Sequence, residues 1–84
     1  MSDRLPMEIA QIPDNIRLLN VQGAEYYMPW EEMPVGASVF LPTTALDRQV
    51  ARKLKPIERY LDWKFAVRQR CEFGIFGVRV WRVY

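Results

Sequence analysis

The spacing of apolar residues in this sequence changes near Lys64, from a helical repeat to a repeat of two. Before that point, apolar side chains recur every three or four residues, which places them on one side of an α-helix. After it, they alternate with polar side chains, as in a strand that is buried on one face. A helix followed by strands predicts an α+β fold, because the helix can bury its apolar side only against those strands. The expected buried stripe consists of Leu46, Val50, Leu54, Ile57 and Leu61.

The start of this helix is expected at Thr43 or Thr44, since either hydroxyl can cap it. Asp47 would then lie in the first turn, where a negative charge meets the positive end of the helix dipole. Pro56 interrupts the pattern and leaves two alternatives open. Either one helix kinks there, or a second helix begins with Pro56 at its first position.

The residues after Lys64 predict an antiparallel hairpin. Residues 64–70 and 78–84 alternate in polarity, and Gly74 and Gly77 lie between them. Because successive strand residues point to opposite faces, the apolar and the polar sets separate. The set expected to face the helix is Phe65, Val67, Val78 and Val80. The set expected to share the outer face is Arg68, Arg70, Arg79 and Trp81.

The N-terminal third is less regular. Residues 1–25 predict an irregular arm with one short strand within Ile16–Val21, because Pro and Asn recur there. Ser38–Leu41 is typical of a strand, which Pro42 ends. We therefore expect an arm at residues 1–25 and an α+β domain with a β-α-β-β core at residues 26–84, within one domain overall.

Several absences limit the chemistry of this chain. It has no histidine and one cysteine, Cys71, so no imidazole or thiolate cluster can bind zinc or iron. Glu31 and Glu32 are adjacent and have no evident partner, whereas catalytic carboxylates face each other across a cleft. We expect no enzymatic activity, no cofactor and no small-molecule substrate. Cys71 is expected to be a small turn residue.

The apolar segments also bear on location. None approaches the roughly 20 apolar residues that a membrane-spanning helix needs, and the first ten residues contain no apolar signal region. A single cysteine also agrees with a reducing compartment. A cytoplasmic protein without a membrane partner is expected.

Charge is distributed unevenly along the sequence. Residues 1–42 contain two cations and six anions, whereas residues 43–84 contain ten cations and four anions. Seven of those ten cations are Arg, whose planar guanidinium suits phosphate groups. The C-terminal half therefore predicts an anionic partner.

Two groups of residues are candidates for contact with that partner. At about 100° per residue, four cations of the predicted helix fall within about 60° of each other, opposite the apolar stripe. They could bind phosphates, or form a solvated helix face. The outer face of the hairpin could contact grooves or bases, but Trp81 could equally be part of the core. The helical cations are Arg48, Arg52, Lys55 and Arg59, and the hairpin set is Arg68, Arg70, Arg79 and Trp81.

Aromatic residues also cluster before the first predicted strand of the core. Tyr26, Tyr27 and Trp30 are close together in the sequence and could form a stacking surface. Such a cluster in a short chain is more typical of the hydrophobic core, because each ring buries about 150 to 250 Å².

Two segments carry a resemblance to a protein family. The first is Pro29-Trp30-Glu31-Glu32-Met33-Pro34-Val35-Gly36-Ala37-Ser38-Val39-Phe40, and the second is Gly77-Val78-Arg79-Val80-Trp81-Arg82-Val83, with Lys64-Phe65 and Arg68 between them. In this order they resemble a family of small bacteriophage proteins with a W-x-x-M-x-V-G-x-S-F segment and a closing G-V-R-V-W-R strand. The likeness covers about residues 26–84 and departs at Ala37, at Val39 and in a longer connection at residues 56–63. It implies a bacteriophage origin and a β-α-β-β core.

These features lead to a functional hypothesis with one main alternative. The hypothesis is a small phage-encoded accessory protein that binds nucleic acid, with DNA favoured over RNA. The alternative is a stoichiometric inhibitor of a host nucleic-acid-processing complex, such as RNA polymerase or a CRISPR surveillance complex. A structural part of a virion is a third possibility, and it predicts self-association.

Overall fold

The computed structural model describes residues 12–84, and they form one α-helix and five strands in two antiparallel sheets. The hairpin β1-β2 is the smaller sheet, and the larger sheet has the order β3-β5-β4. Short 3-10 turns at Asp14–Ile16 and Trp30–Glu32 precede β1 and β3. The elements are β1 Leu18–Val21, β2 Ala24–Tyr27, β3 Ser38–Pro42, α1 Asp47–Leu61, β4 Phe65–Glu72 and β5 Ile75–Arg82.

The α+β fold expected from the sequence is confirmed, and the C-terminal hairpin packs on α1. Val78 and Val80 of β5 are fully buried, and Phe65 and Val67 of β4 pack against the same core. Three of the five residues in the expected apolar stripe are buried on the helix, and Leu61 is partly buried. Leu46 is exposed because it precedes the helix. The three buried residues are Val50, Leu54 and Ile57.

The helix starts later than the threonines predicted. Thr43 Oγ1 accepts a hydrogen bond from the Ala45 N–H at 3.1 Å, and thus stabilises the preceding turn. The helix begins at Asp47, after Leu46, whose N–H donates to Gln49 Oε1 at 2.8 Å. The expected threonine cap is therefore wrong, because a glutamine inside the first turn caps the helix instead.

Pro56 lies inside a single helix that continues to Leu61. Its ring removes one backbone donor, but its side chain is exposed and the following Ile57 is buried in the core. Asp62 then ends the helix in a left-handed conformation, with φ 59°. The structure thus shows one helix through Pro56 and no second helix that begins there, and burial of Ile57 carries the helix past the proline.

The described part of the N-terminal arm is more regular than expected. The predicted short strand is present as β1, but it forms a hairpin with β2, in which Leu18 pairs with Tyr27. Leu19 and Val21 belong to the same hydrophobic core as the helix. Residues 1–11 of the predicted arm lie outside the described residues.

Trp30 lies at the centre of the aromatic packing. It is 1% exposed, its ring centroid is 6.0 Å from that of Trp63 and 5.4 Å from that of Phe65, and its Nε1–H donates to the Ile16 carbonyl at 2.8 Å. Trp30 is thus a core residue. Tyr27 is exposed and Tyr26 is half-buried, with its hydroxyl donating to the Pro42 carbonyl. The three aromatics therefore do not form one stacking surface, because neighbours on a strand point to opposite faces.

Glu31, which seemed to lack a partner in the sequence, forms a bidentate ion pair with Arg17. Arg17 Nη1 donates to Glu31 Oε1 at 2.6 Å, and Nη2 donates to Oε2. The hydrogen bond from Arg17 lowers the pKa of Glu31 from 4.5 to about 2. The pair joins the residue before β1 to the turn that contains Trp30.

The substitution Glu31→Gln tests the contribution of this pair to stability. Because the pKa of Glu31 is lowered in the fold, its charge stabilises the protein above about pH 4.5, and this contribution is lost as the pH falls towards about 2. Chemical denaturation across that range should therefore show a flatter pH dependence for Glu31→Gln than for the wild type. Glu32→Gln is the control, since it removes a neighbouring charge and leaves the Arg17 pair intact. Equal slopes for Glu31→Gln and the wild type would contradict the role of the pair.

Gly77 is required by the packing of β3 against β5. A Cβ atom at this position would lie 2.5 Å from the Leu41 carbonyl oxygen and would overlap the Phe40 ring. Gly77 pairs with Pro42 at the end of β3, so the backbone of β3 has little room to move away.

Gly77→Ala should destabilise the fold by about 1 to 3 kcal/mol, the usual range for overpacking. The free energy of unfolding from urea denaturation measures this. Cys71→Ala, on the neighbouring strand at an exposed position, is the control and should stay within about 0.5 kcal/mol of the wild type. A Gly77→Ala protein as stable as the control would mean that Phe40 can move aside.

Candidate nucleic-acid interface

The larger sheet has two different faces. Helix α1 covers one face, and no helix lies on the other in the part of the chain that the structure describes. We call this second surface the outer face. The register pairs Arg68 with Arg79, Ala66 with Trp81, and Phe40 with Arg79, so these side chains point the same way. The outer face includes Ser38, Phe40, Ala66, Arg68, Arg70, Glu72, Arg79 and Trp81.

Arg79 lies at the centre of the outer face, but its guanidinium is engaged within the fold. Nε and Nη2 donate to the two carboxylate oxygens of Glu72 at 2.7 and 2.6 Å, and Nη1 donates to Ser38 Oγ at 2.7 Å. The guanidinium also lies 5.7 Å from the centroid of the Phe40 ring. Hydrogen bonding to Arg79 lowers the pKa of Glu72, and the pKa of Arg79 is correspondingly raised. Arg79 therefore joins β3, β4 and β5, and its donors are largely occupied.

Arg68 and Arg70 are exposed side chains on β4. The Arg70 guanidinium lies 5.8 Å from the centroid of the Trp81 ring, and its Nε is 3.5 Å from Glu72 Oε2. About half of the Arg70 side chain is exposed. Both cations can thus reach a ligand on the outer face while the fold stays unchanged.

An open groove of about 800 Å³ runs beside these two cations. Arg68, Gln69 and Arg70 line it together with Trp81, and Val35 contributes from the loop before β3. The groove therefore combines guanidinium groups that suit phosphate with a partly exposed indole that can stack on a base.

Arg82 also borders the groove, but it serves the fold. Its guanidinium lies 3.6 Å from the centroid of the Trp63 ring, and Nη1 donates to the Met33 carbonyl at 3.1 Å. Its backbone pairs with the loop before β3, since Gly36 N–H donates to the Arg82 carbonyl at 2.7 Å. Burial lowers the pKa of Arg82. Arg82 thus fixes one border of the groove.

The four predicted helical cations are exposed along one side of α1. From Arg48 to Arg59 they span about 16 Å at 1.5 Å per residue. Lys55 Nζ lies 3.9 Å from Glu58 Oε1, and within residues 12–84 the other three make no ion pair. We call Arg48, Arg52, Lys55 and Arg59 the helical stripe.

The helical stripe and the outer face lie on opposite sides of the molecule. Val50 and Leu54 point towards the sheet, and the stripe is on the opposite side of the helix. A helix is about 10 to 12 Å across, so at least that thickness separates the two sets of cations. The two groups of candidate residues are therefore two separate surfaces, and the structure does not bring them together.

Two further features of this region were not predicted from the sequence. One is the Arg79–Glu72 pair, because its partners are on different strands and are not opposite each other in the register, so that only the side-chain geometry shows the contact. The other is the exposed turn at Phe73-Gly74, where both residues have positive φ. A Gly at the second turn position was a signal for this turn, but the expected residue before it is Asn or Asp.

Residues 12–84 contain neither a metal-binding cluster nor a membrane-spanning helix. No group of three or more Cys, Asp or Glu side chains in this range could hold a metal ion. No helix among them is long and apolar enough to cross a bilayer.

The role of Arg79 in joining the strands can be tested by a double-mutant cycle. Arg79→Ala should lower the free energy of unfolding, because it leaves the carboxylate of Glu72 and the hydroxyl of Ser38 without their donor. The cycle with Glu72→Ala should show that the two effects are not additive. Arg68→Ala is the control and should stay within about 0.5 kcal/mol of the wild type. Additive effects of Arg79→Ala and Glu72→Ala would show that the pair does not stabilise the fold.

Comparison with protein-family models, with curated proteins and with solved structures gives no match to this chain. The resemblance to small bacteriophage proteins therefore stays a prediction. Arguments about function rest on the geometry of the outer face and of the helical stripe.

Proposed function

We propose that this protein binds single-stranded nucleic acid along its outer face. The observation that carries the proposal is the open groove, in which Arg68 and Arg70 stand beside the partly exposed ring of Trp81. Proteins that bind single strands combine cations along the backbone with aromatic rings on which bases stack. An antiparallel sheet with one uncovered face can supply both.

The roles of the individual residues follow from their contacts. Arg68 and Arg70 bind phosphate groups, because their guanidinium groups are exposed. Trp81 stacks on a base, and the adjacent Arg70 reaches the phosphate of the same or the next nucleotide. Arg79 positions the strands and is not a ligand.

Single strands fit this surface better than a straight duplex. Stacking on Trp81 requires the face of a base, which is covered by neighbouring pairs in a duplex. The outer face also offers only two exposed cations, whereas proteins that bind duplexes by phosphate contacts often use six or more. The chemistry of the groove thus favours unpaired bases.

The helical stripe cannot contact the same short ligand, since α1 separates it from the outer face. It is either a solvated surface or a second contact for a longer strand that passes around the molecule. In a bacteriophage protein, as the resemblance implies, the ligand would be phage or host nucleic acid in the host cytoplasm.

The test is fluorescence anisotropy with labelled single strands of DNA and RNA and a matched duplex, at about 50 and 200 mM salt. We expect binding to single strands with a slope of log K against log salt of about −0.7 for each phosphate contact, hence about −1.4 for two arginines. The charge reversal Arg68→Glu/Arg70→Glu should abolish binding of a short strand. The reversal Arg52→Glu/Arg59→Glu changes the net charge equally and should have a much smaller effect.

Two results would contradict this proposal. One is the absence of binding at the lower salt concentration, which would favour the alternative of a host protein partner. The other is an equal loss of affinity in both charge-reversal variants, because it would show that only the net charge matters. Cooperative unfolding transitions of both variants would show that the charge reversals leave the fold intact.

A further inference from the structure

The hairpin β4-β5 projects beyond the third strand of its sheet. Strand β3 pairs with β5 only as far as Pro42 and Gly77, whereas β4 and β5 remain paired up to Glu72 and Ile75. Residues 71–76 therefore form a two-stranded extension, which we call the hairpin tip. Its apolar side chains are exposed: Phe73 is 100% exposed, Phe76 is 73% exposed and Ile75 is 51% exposed.

The turn at the tip is unfavourable for the residue that occupies it. Phe73 has φ 54° and Gly74 has φ 77°, a conformation in which Asn-Gly or Asp-Gly is the usual pair. A bulky aromatic residue rarely adopts positive φ. Phe73 is also fully exposed, so the fold gains no burial from its ring. Asn at this position would therefore stabilise the fold more than Phe does.

The size of the tip limits what it can contact. An enclosed aromatic ring buries about 150 to 250 Å², so Phe73 and Phe76 together offer on the order of 350 Å². A typical protein interface buries about 800 Å² on each partner. The tip is thus too small for a protein-docking surface of ordinary size or for a stable dimer, but one ring suffices to stack on a base.

The charges beside the tip indicate which ligand reaches it. Arg70 is on the outer face three residues before Phe73, which is about 10 Å along a strand. A nucleic-acid strand with its phosphates on Arg68 and Arg70 would therefore continue towards the tip. Apolar side chains that stack on or between bases are a recurrent device of nucleic-acid-binding proteins.

We infer that Phe73 is an aromatic wedge that stacks on an unpaired base, or inserts at a disrupted base step, of a nucleic acid bound along the outer face. This inference rests on the proposed function and adds a second stacking position to it. Trp81 pairs with Ala66, so the two aromatic positions are about seven residues apart along β4, or roughly 23 Å. A strand stacked as in a duplex, at about 3.4 Å per nucleotide, needs about seven nucleotides to reach both, and a fully extended strand needs roughly half as many.

The strand-length requirement provides the test. Phe73→Asn is compared with the wild type for binding to oligodeoxythymidines of about 3 and about 12 nucleotides, which are respectively too short and long enough to reach both positions even when the strand is extended. We expect Phe73→Asn to weaken binding of the longer strand by roughly five- to a hundredfold, the range for loss of one stacked base. Binding of the shorter strand to Trp81 should be unchanged. The thermal unfolding midpoint should be equal or higher, because Asn suits the turn.

The control for this experiment is a variant that lacks an exposed aromatic ring away from the outer face. Tyr60→Ala removes another exposed aromatic ring, on α1, and should leave binding of both strands unchanged. If the wild type binds neither strand, the proposed function itself is wrong. If the longer strand binds in a manner that needs Arg68 but not Phe73, only the wedge is wrong. Loss of a protein partner in Phe73→Asn with unchanged binding of DNA would also overturn the wedge.

Discussion

The burial of Trp30 is the interaction on which the arrangement of the other elements depends. Its indole N–H is bonded to the carbonyl of Ile16, just before β1, and its ring packs on Trp63 and Phe65, between α1 and β4. One side chain thus links the first hairpin, the helix end and the edge of the larger sheet. The Arg82 guanidinium stacks on Trp63, one of the two rings that pack on Trp30, and donates to the Met33 carbonyl. The loop before β3 is therefore fixed both by burial of Trp30 and by the hydrogen bond from Arg82. The groove on the outer face keeps its shape because this loop cannot move independently.

The sequence contained enough information for the main elements, because their periodicity is strong. The alternation in residues 64–70 and 78–84 predicted the hairpin and its two faces, and the spacing of Val50, Leu54 and Ile57 predicted the buried side of the helix. The cap was predicted wrongly, since several polar residues near the helix start can accept the same hydrogen bond and only the packed backbone selects Gln49. The ion pair of Arg17 with Glu31 was not predictable, because it joins residues fourteen apart that only the first hairpin brings together.

The candidate site shows a different limit of sequence reasoning. The uneven charge predicted a basic half of the chain, but the order of charges along the sequence does not show on which surface of the fold each cation lies. Packing of α1 on one face of the sheet divides these cations between two opposite surfaces. Cations on the same face also differ in their contacts. Arg79 and Arg68 are direct neighbours across the strands, but of these two only Arg79 is hydrogen-bonded to a carboxylate. Residue type and spacing predicted which side chains lie on the outer face. Which guanidinium groups are already hydrogen-bonded depends on the positions of Glu72 and Ser38, and these follow from the packed structure.

The strand order β3-β5-β4 leaves β4 at an edge of the larger sheet. An eight-residue edge strand presents a row of backbone groups on which a second copy could add its own strand, and such addition leads to polymerisation. Two copies of β4 paired antiparallel would bring Arg68 and Arg70 of both chains close together, and like charges at paired positions oppose that contact. Arg68 and Arg70 would therefore oppose the addition of a second β4 strand at this edge. Any replacement of these residues by apolar side chains would remove this opposition to strand addition together with the proposed ligand contact.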